Sequence, residues 1–116
     1  MRWGGNPGTD EGRAICQIAY AEAPHCHEAF ATGNINEVGF ANNIVLLRTQ
    51  ANCDVIDDDL GYYDEPVFSD GIVSEAVDAV VTSKSLPGKP VIYTSSAGNR
   101  SRCANVTSCR RSRFIG

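Results

Sequence analysis

The strongest constraint in this 116-residue sequence is an alternation. Three stretches carry apolar residues at helical spacing, and each is followed by a short β-forming run and a turn. In "EGRAICQIAYAEA", Ala14, Ile15, Ile18 and Ala19 recur at three and four residues. Asp10 stands where an N-cap belongs, Glu11 where the helix dipole favours an anion, and Pro24 closes the segment. Residues 36–50 give a wide apolar face from Val38, Phe40, Ala41, Ile44, Val45 and Leu47. In "IVSEAVDAVVTSK", Val73, Ala76, Val77 and Val80 repeat in the same way. The runs "CHEAFAT", "CDVID" and the opening of "VIYTSSAGN" read as strands. They are punctuated by Gly33-Asn34, by the loop "DDLGYYDEPVFSDG" and by the turn "LPGKP".

Helix and strand in strict alternation predict an α/β fold with a parallel sheet, because parallel neighbours need a crossover and a helix is the usual one. The expectation is a three-layer parallel sheet with helices on both faces and right-handed crossovers. Strands are expected near 26–31, 53–57 and 90–95, and helices near 11–22, 36–50 and 71–83. A sheet of three strands leaves an exposed edge and marginal stability. Residues 1–9, "MRWGGNPGT", read as loop, 10–99 as a partial domain, and 100–116 as a basic tail.

Composition separates that tail from the body. Residues 1–99 hold all 14 acids and five bases, a net charge of −9, whereas 100–116 hold five arginines and no acid. An arm for nucleic acid or an anionic membrane is one reading of such a block. With Phe114 as its only aromatic, the tail reads instead as disordered or foreign to the domain, and neither nucleic acid nor membrane is expected as a partner. No apolar run approaches the ~20 residues of a membrane helix, and the first residues lack the basic-then-apolar pattern of a secretory signal. Five cysteines, an odd number, give no disulfide framework; Cys16, Cys26 and Cys53 read as buried thiols within helix or strand, and Cys103 and Cys109 are too sparse for zinc.

In an open parallel sheet, chemistry collects beyond the carboxyl ends of the strands. Three such ends are of interest: Thr32-Gly33-Asn34, Asp57 to Gly61, and Ser95 to Asn99. Ser-Ala-Gly-Asn after a strand is compatible with a tight turn, since Gly and Asn both accept left-handed backbone. By itself it is read first as that turn; the other reading is a substrate approaching Gly98 while the Asn99 amide donates to developing negative charge.

These ends resemble those of the subtilisin-like serine peptidases. "VIYTSSAGN" is similar to the family's V-x-x-x-[SA]-[SA]-G-N strand, which delivers the oxyanion-hole asparagine. "DVIDDDLG", residues 54–61, is similar to D-V-I-N-x-S-L-G, whose end lines the substrate cleft. "EGRAICQIAYAEAP" resembles the helix opened by the catalytic histidine in H-G-T-x-x-A, with Glu11 in the histidine's place. The resemblance covers residues 10–99 and implies a partial subtilisin-like domain acting on a peptide or protein substrate without a cofactor. It implies catalytic positions at Glu11 and Asn99 and a cleft lined by Asp59, Leu60, Gly61, Ser96, Ala97 and Gly98. Asn99, Glu11 and Asp59-Leu60-Gly61 are then expected on one side of the sheet.

The departures are specific. No strand bearing the family's first aspartate precedes Glu11, and no G-T-S-x-[AS]-x-P segment follows Asn99. A serine hydroxyl is a poor nucleophile without a base and an orienting acid, so the chain by itself is expected to be inactive. The related sedolisins use glutamate in E-x-x-x-D, but the fourth residue after Glu11 is Ile15.

Other constellations compete. His25 and His27, alternating on a strand beside Cys26 and Glu28, would suit a metal, but a solvated strand end is favoured. Asp57, Asp58, Asp59, Asp64, Glu65 and Asp70 offer oxygen ligands for calcium without the glycine-punctuated loop of a known site, so a solvated acidic loop is favoured. Asn105-Val106-Thr107 is a glycosylation sequon, meaningful only on secretion. The alternative reading of the whole chain is a receiver-like or flavodoxin-like signalling module, with an aspartate in "CDVIDDD" modified beside magnesium and "VIYTSS" as a later strand. The acidic pair and the lysine that a receiver needs are missing.

Overall fold

The computed structural model describes residues 10–66 and 68–96. The chain divides into two units, residues 1–30 and 31–116. The first contains α1, Glu11–Glu22, and the second contains α2 (Glu37–Thr49), β1 (Val55–Asp58), α3 (Ile72–Thr82) and β2 (Ile92–Ser95). All three helices lie within a residue or two of where the apolar spacing puts them.

In the first unit, α1 buries no residue, and Ile18 and Tyr20 are exposed. Asp10 occupies the N-cap position without bonding to the backbone; its carboxylate takes the Arg13 guanidinium instead. The helix ends as the Ala23 N–H reaches the Ala19 carbonyl, just before Pro24. The expected strand at 26–31 is corrected here: its described residues form no ladder. A strand needs a partner to satisfy its backbone, and this run of Ala, His and Glu has little of the β-branched content that packs a pleated surface. His25 and His27 are therefore exposed without strand geometry, and Cys26, expected to be buried, is exposed.

In the second unit, β1 and β2 pair in parallel, with Val55 opposite Ile92, Ile56 opposite Tyr93, Asp57 opposite Thr94 and Asp58 opposite Ser95. α3 is the crossover between them. Side chains alternate along a strand, so Ile56, Asp58, Tyr93 and Ser95 share one face while Val55, Asp57, Ile92 and Thr94 share the other. The core lies on the Ile56 face. Phe40, Ala41 and Ile44 of α2, Ala76 and Val80 of α3, Ile56 and Val91 form one buried cluster. Val55 and Ile92, on the opposite face, are more than half exposed. The architecture described is thus a small α/β unit with a two-stranded parallel sheet, and α2 and α3 both contribute to the core over one face.

Local chemistry explains the boundaries. Asn36 caps α2, its side-chain oxygen accepting from the Gly39 N–H at 2.7 Å. Asn52 and Ser83, both at positive φ, turn the chain out of α2 and α3. Arg48 is 4% exposed, yet its Nε donates to the Lys89 carbonyl at 2.8 Å and its Nη1 to Asn52 Oδ1 at 3.0 Å. This bonding pins the turn before β2 to the end of α2. Gly88, at φ +107°, is required there, because a Cβ would come within 2.0 Å of the guanidinium.

Candidate functional site

The parallel register sets two acids of β1 beside three hydroxyls of β2. Asp58 accepts from the Tyr93 hydroxyl on one oxygen and from Ser95 Oγ, at 2.7 Å, on the other. On the opposite face, Asp57 accepts from the Thr94 hydroxyl. Cross-strand neighbours on one face of a pleated sheet lie close enough for such pairs, and charge-assisted bonds from hydroxyl to carboxylate are among the stronger ones. Burial pushes the Tyr93 phenol well above its usual range, the hydrogen bond to Asp58 adds to this, and the charges of Asp58 and Asp57 act in the same direction. An anionic phenolate here would lose its bond and face two carboxylates, so Tyr93 stays a donor at neutral pH.

Beyond β1, the Asp59-Leu60-Gly61 segment is exposed, and a Cβ placed on Gly61 would meet nothing within 4 Å. The loop continues to Glu65, whose carboxylate takes the Val73 N–H at 3.0 Å and the Ser74 hydroxyl at 3.3 Å. Glu65 thereby caps α3 from outside the helix, serving an N-terminus whose own cap residue, Gly71, has no side chain. Gly71 must lack one, since a Cβ would fall 2.1 Å from Glu65 Oε2. Beyond β2, the Ser96 N–H continues the ladder to the Asp58 carbonyl at 3.1 Å.

The sequence-expected site residues are distributed as follows. Asp59, Leu60, Gly61 and Ser96 lie just past the carboxyl ends of two adjacent parallel strands. Glu11 begins α1 in the first unit and is exposed. Ala97, Gly98 and Asn99, like the arginine-rich tail, lie outside the described residues. Among the described residues no three His, Cys, Asp or Glu side chains cluster to hold a metal. Of the six acids considered for calcium, Asp57 and Asp58 hold hydroxyls and Glu65 caps a helix. No described helix is long and apolar enough to cross a membrane.

Sequence reasoning missed the carboxylate–hydroxyl pairs. Their only sequence signal is the alternation Asp57-Asp58 against Tyr93-Thr94-Ser95, which becomes meaningful once the register is known. Comparison with protein-family models, with curated proteins and with solved structures finds no match to this chain.

Proposed function

We propose that this chain is a piece of a subtilisin-like serine peptidase domain, in which it forms one wall of the peptide-binding cleft. The observation that carries the reading is the direct parallel pairing of the two segments on which the resemblance rests. "DVIDDDLG" runs through β1 and "VIYTSS" through β2, with α3 as the crossover between them. Adjacency in this sense brings the Asp59-Leu60-Gly61 segment and Ser96 to the same end of the sheet, where open α/β sheets bind ligands. Nothing stands within 4 Å of where a Gly61 Cβ would be, so this backbone faces open space.

By the resemblance, Ser96, Ala97 and Gly98 correspond to the family's cleft wall, Asn99 to its oxyanion-hole asparagine, and Glu11 to the position of its histidine. Further elements of the domain cover the Val55 and Ile92 face, which completes a three-layer sheet with helices on both faces. The substrate is a peptide or protein, and this chemistry needs no cofactor. The sequence holds neither the nucleophile segment nor the first aspartate, so the chain alone leaves a fluorophosphonate probe unreacted; specific labelling of Ser95 or Ser96 would contradict that.

One observation favours a second reading, the receiver-like module: Asp57 at a strand end meets a hydroxyl, Thr94, from the next strand. Amide shifts in the ¹⁵N-labelled chain separate the two. An extended peptide at millimolar concentration should shift Leu60, Gly61 and Ser96, and beryllofluoride with magnesium should not shift Asp57. The reverse pattern would replace the peptidase reading with the receiver-like one.

A further inference from the structure

The Asp59–Gly61 segment lies past the end of the β1–β2 ladder, and what fixes it reaches back to Thr32-Gly33-Asn34. That stretch is not a strand end. It is a strut between α2 and the loop after β1. On the α2 side, Asn43 Nδ2 donates to the Thr32 carbonyl at 2.7 Å, and a Cβ on Gly33 would come within 3.1 Å of the Phe40 ring. On the loop side, the same Cβ would fall 1.9 Å from Leu60 Cδ1, and the Tyr62 hydroxyl donates to the Gly33 carbonyl. The Tyr62 ring also packs on Phe40, with centroids 5.5 Å apart. Leu60 and Tyr62 thus bracket Gly61, and both rest on one glycine that is itself held by α2.

We propose that Gly33 and Tyr62 are positioning residues for the Asp59–Gly61 segment, holding the cleft-lining backbone at a fixed distance from the α2 core. The proposal rests on the cleft-wall reading above. A side chain on Gly33 would displace Leu60 from the 32–34 strut and crowd the buried Phe40 ring, and only a hydroxyl-bearing ring both packs on Phe40 and bonds to a backbone carbonyl. Burial and the charge of Glu37 push the Tyr62 phenol upward, so it remains a donor at neutral pH. Fixing a peptide-binding backbone in advance reduces the ordering cost of binding.

The test uses the full chain, ¹⁵N-labelled, as wild type, Tyr62→Phe and Gly33→Ala, with two readouts. The first is the ¹⁵N order parameter at Leu60 and Gly61 relative to Ile44 and Val80, which report the core. Losing the Tyr62 bond should lower the loop values from about 0.85 toward about 0.6 while the core values hold. The second is the shift of Gly61 on titration with an extended peptide, whose affinity should fall about three- to tenfold in Tyr62→Phe, the loss of one hydrogen bond. Tyr62→Phe with unchanged loop order parameters, or with a loosened loop and unchanged peptide response, overturns the proposal. A wild-type chain whose Gly61 does not respond to peptide overturns the cleft-wall reading first and the proposal with it. That result differs from the one in which wild type and variant respond alike.

Discussion

Ile44→Ala and Ile92→Ala make the same chemical change on opposite sides of the fold, and they should differ severalfold in cost. Ile44 is 1% exposed in the cluster between α2, α3 and β1, whereas Ile92 is 66% exposed on the far face of the sheet. Truncating a fully buried isoleucine to alanine costs about 2–5 kcal/mol, transfer and cavity terms together. A unit of this size has about 5–10 kcal/mol in total, and among the described residues its buried cluster holds seven. Ile44→Ala should therefore remove at least about a fifth of the stability, and up to all of it. Ile92 already leaves two-thirds of itself in water. Complete burial of such a side chain contributes about 1.5–3 kcal/mol, so the buried third supplies at most about 1 kcal/mol. Loss of β preference adds about 0.5 kcal/mol. Urea unfolding followed by circular dichroism, with both variants at the same slope, gives the two values. If Ile92→Ala costs more than about 2 kcal/mol, the Val55 and Ile92 face is covered in solution and the one-sided core is wrong.

Three further outcomes follow from the strand ends and turns. Tyr93 has a folded-state pKa raised above its unfolded value, so the stability it contributes is fully present below about pH 10 and is lost as pH rises through the folded value. Urea midpoints from pH 8 to 11 should fall less steeply in Tyr93→Phe than in wild type; equal slopes would remove Tyr93 as the cause. Asp58→Asn takes away the carboxylate that holds both Tyr93 and Ser95, so phenolate absorbance at 295 nm should appear at lower pH, and an unchanged titration would count against the pairing. Gly88→Ala combines a positive φ with a clash at Arg48 and should cost about 2–3 kcal/mol, while Gly61→Ala, facing open space, should stay within about 0.5 kcal/mol in thermal melts.

The helices were legible because their signals are local. The apolar rows of α2 and α3, and Pro24 and Gly71 as punctuation, all act within a turn or two. The two strands were legible for the same reason, as short β-branched runs bounded by turns. What failed was the third strand at 26–31, since a strand exists only with a partner and partners are not encoded in the strand's own residues. Arg48 shows the same limit: nothing in residues 44–52 announces that its guanidinium will meet the Lys89 carbonyl. The pairing of Asp58 with Tyr93 and Ser95 depends on a register between segments some 35 residues apart, and a shift of one residue would turn each to the other face. In sequence Glu65 is one acid in a solvated cluster, yet the bare N-terminus behind Gly71 makes it a cap. Thr32-Gly33 has the sequence of a strand end, but with no strand before it the stretch braces α2 against the loop after β1.

The central claim is that the carboxyl ends of β1 and β2 form a surface for an extended peptide. The most direct measurement is photo-crosslinking of the full chain to an extended peptide carrying a benzoylphenylalanine, with the adducts located by mass spectrometry. The account predicts adducts on Asp59, Leu60, Gly61 and Ser96, reduced by competition with the unmodified peptide. Adducts confined to the exposed Val55 and Ile92 face, or spread without competition, would contradict it.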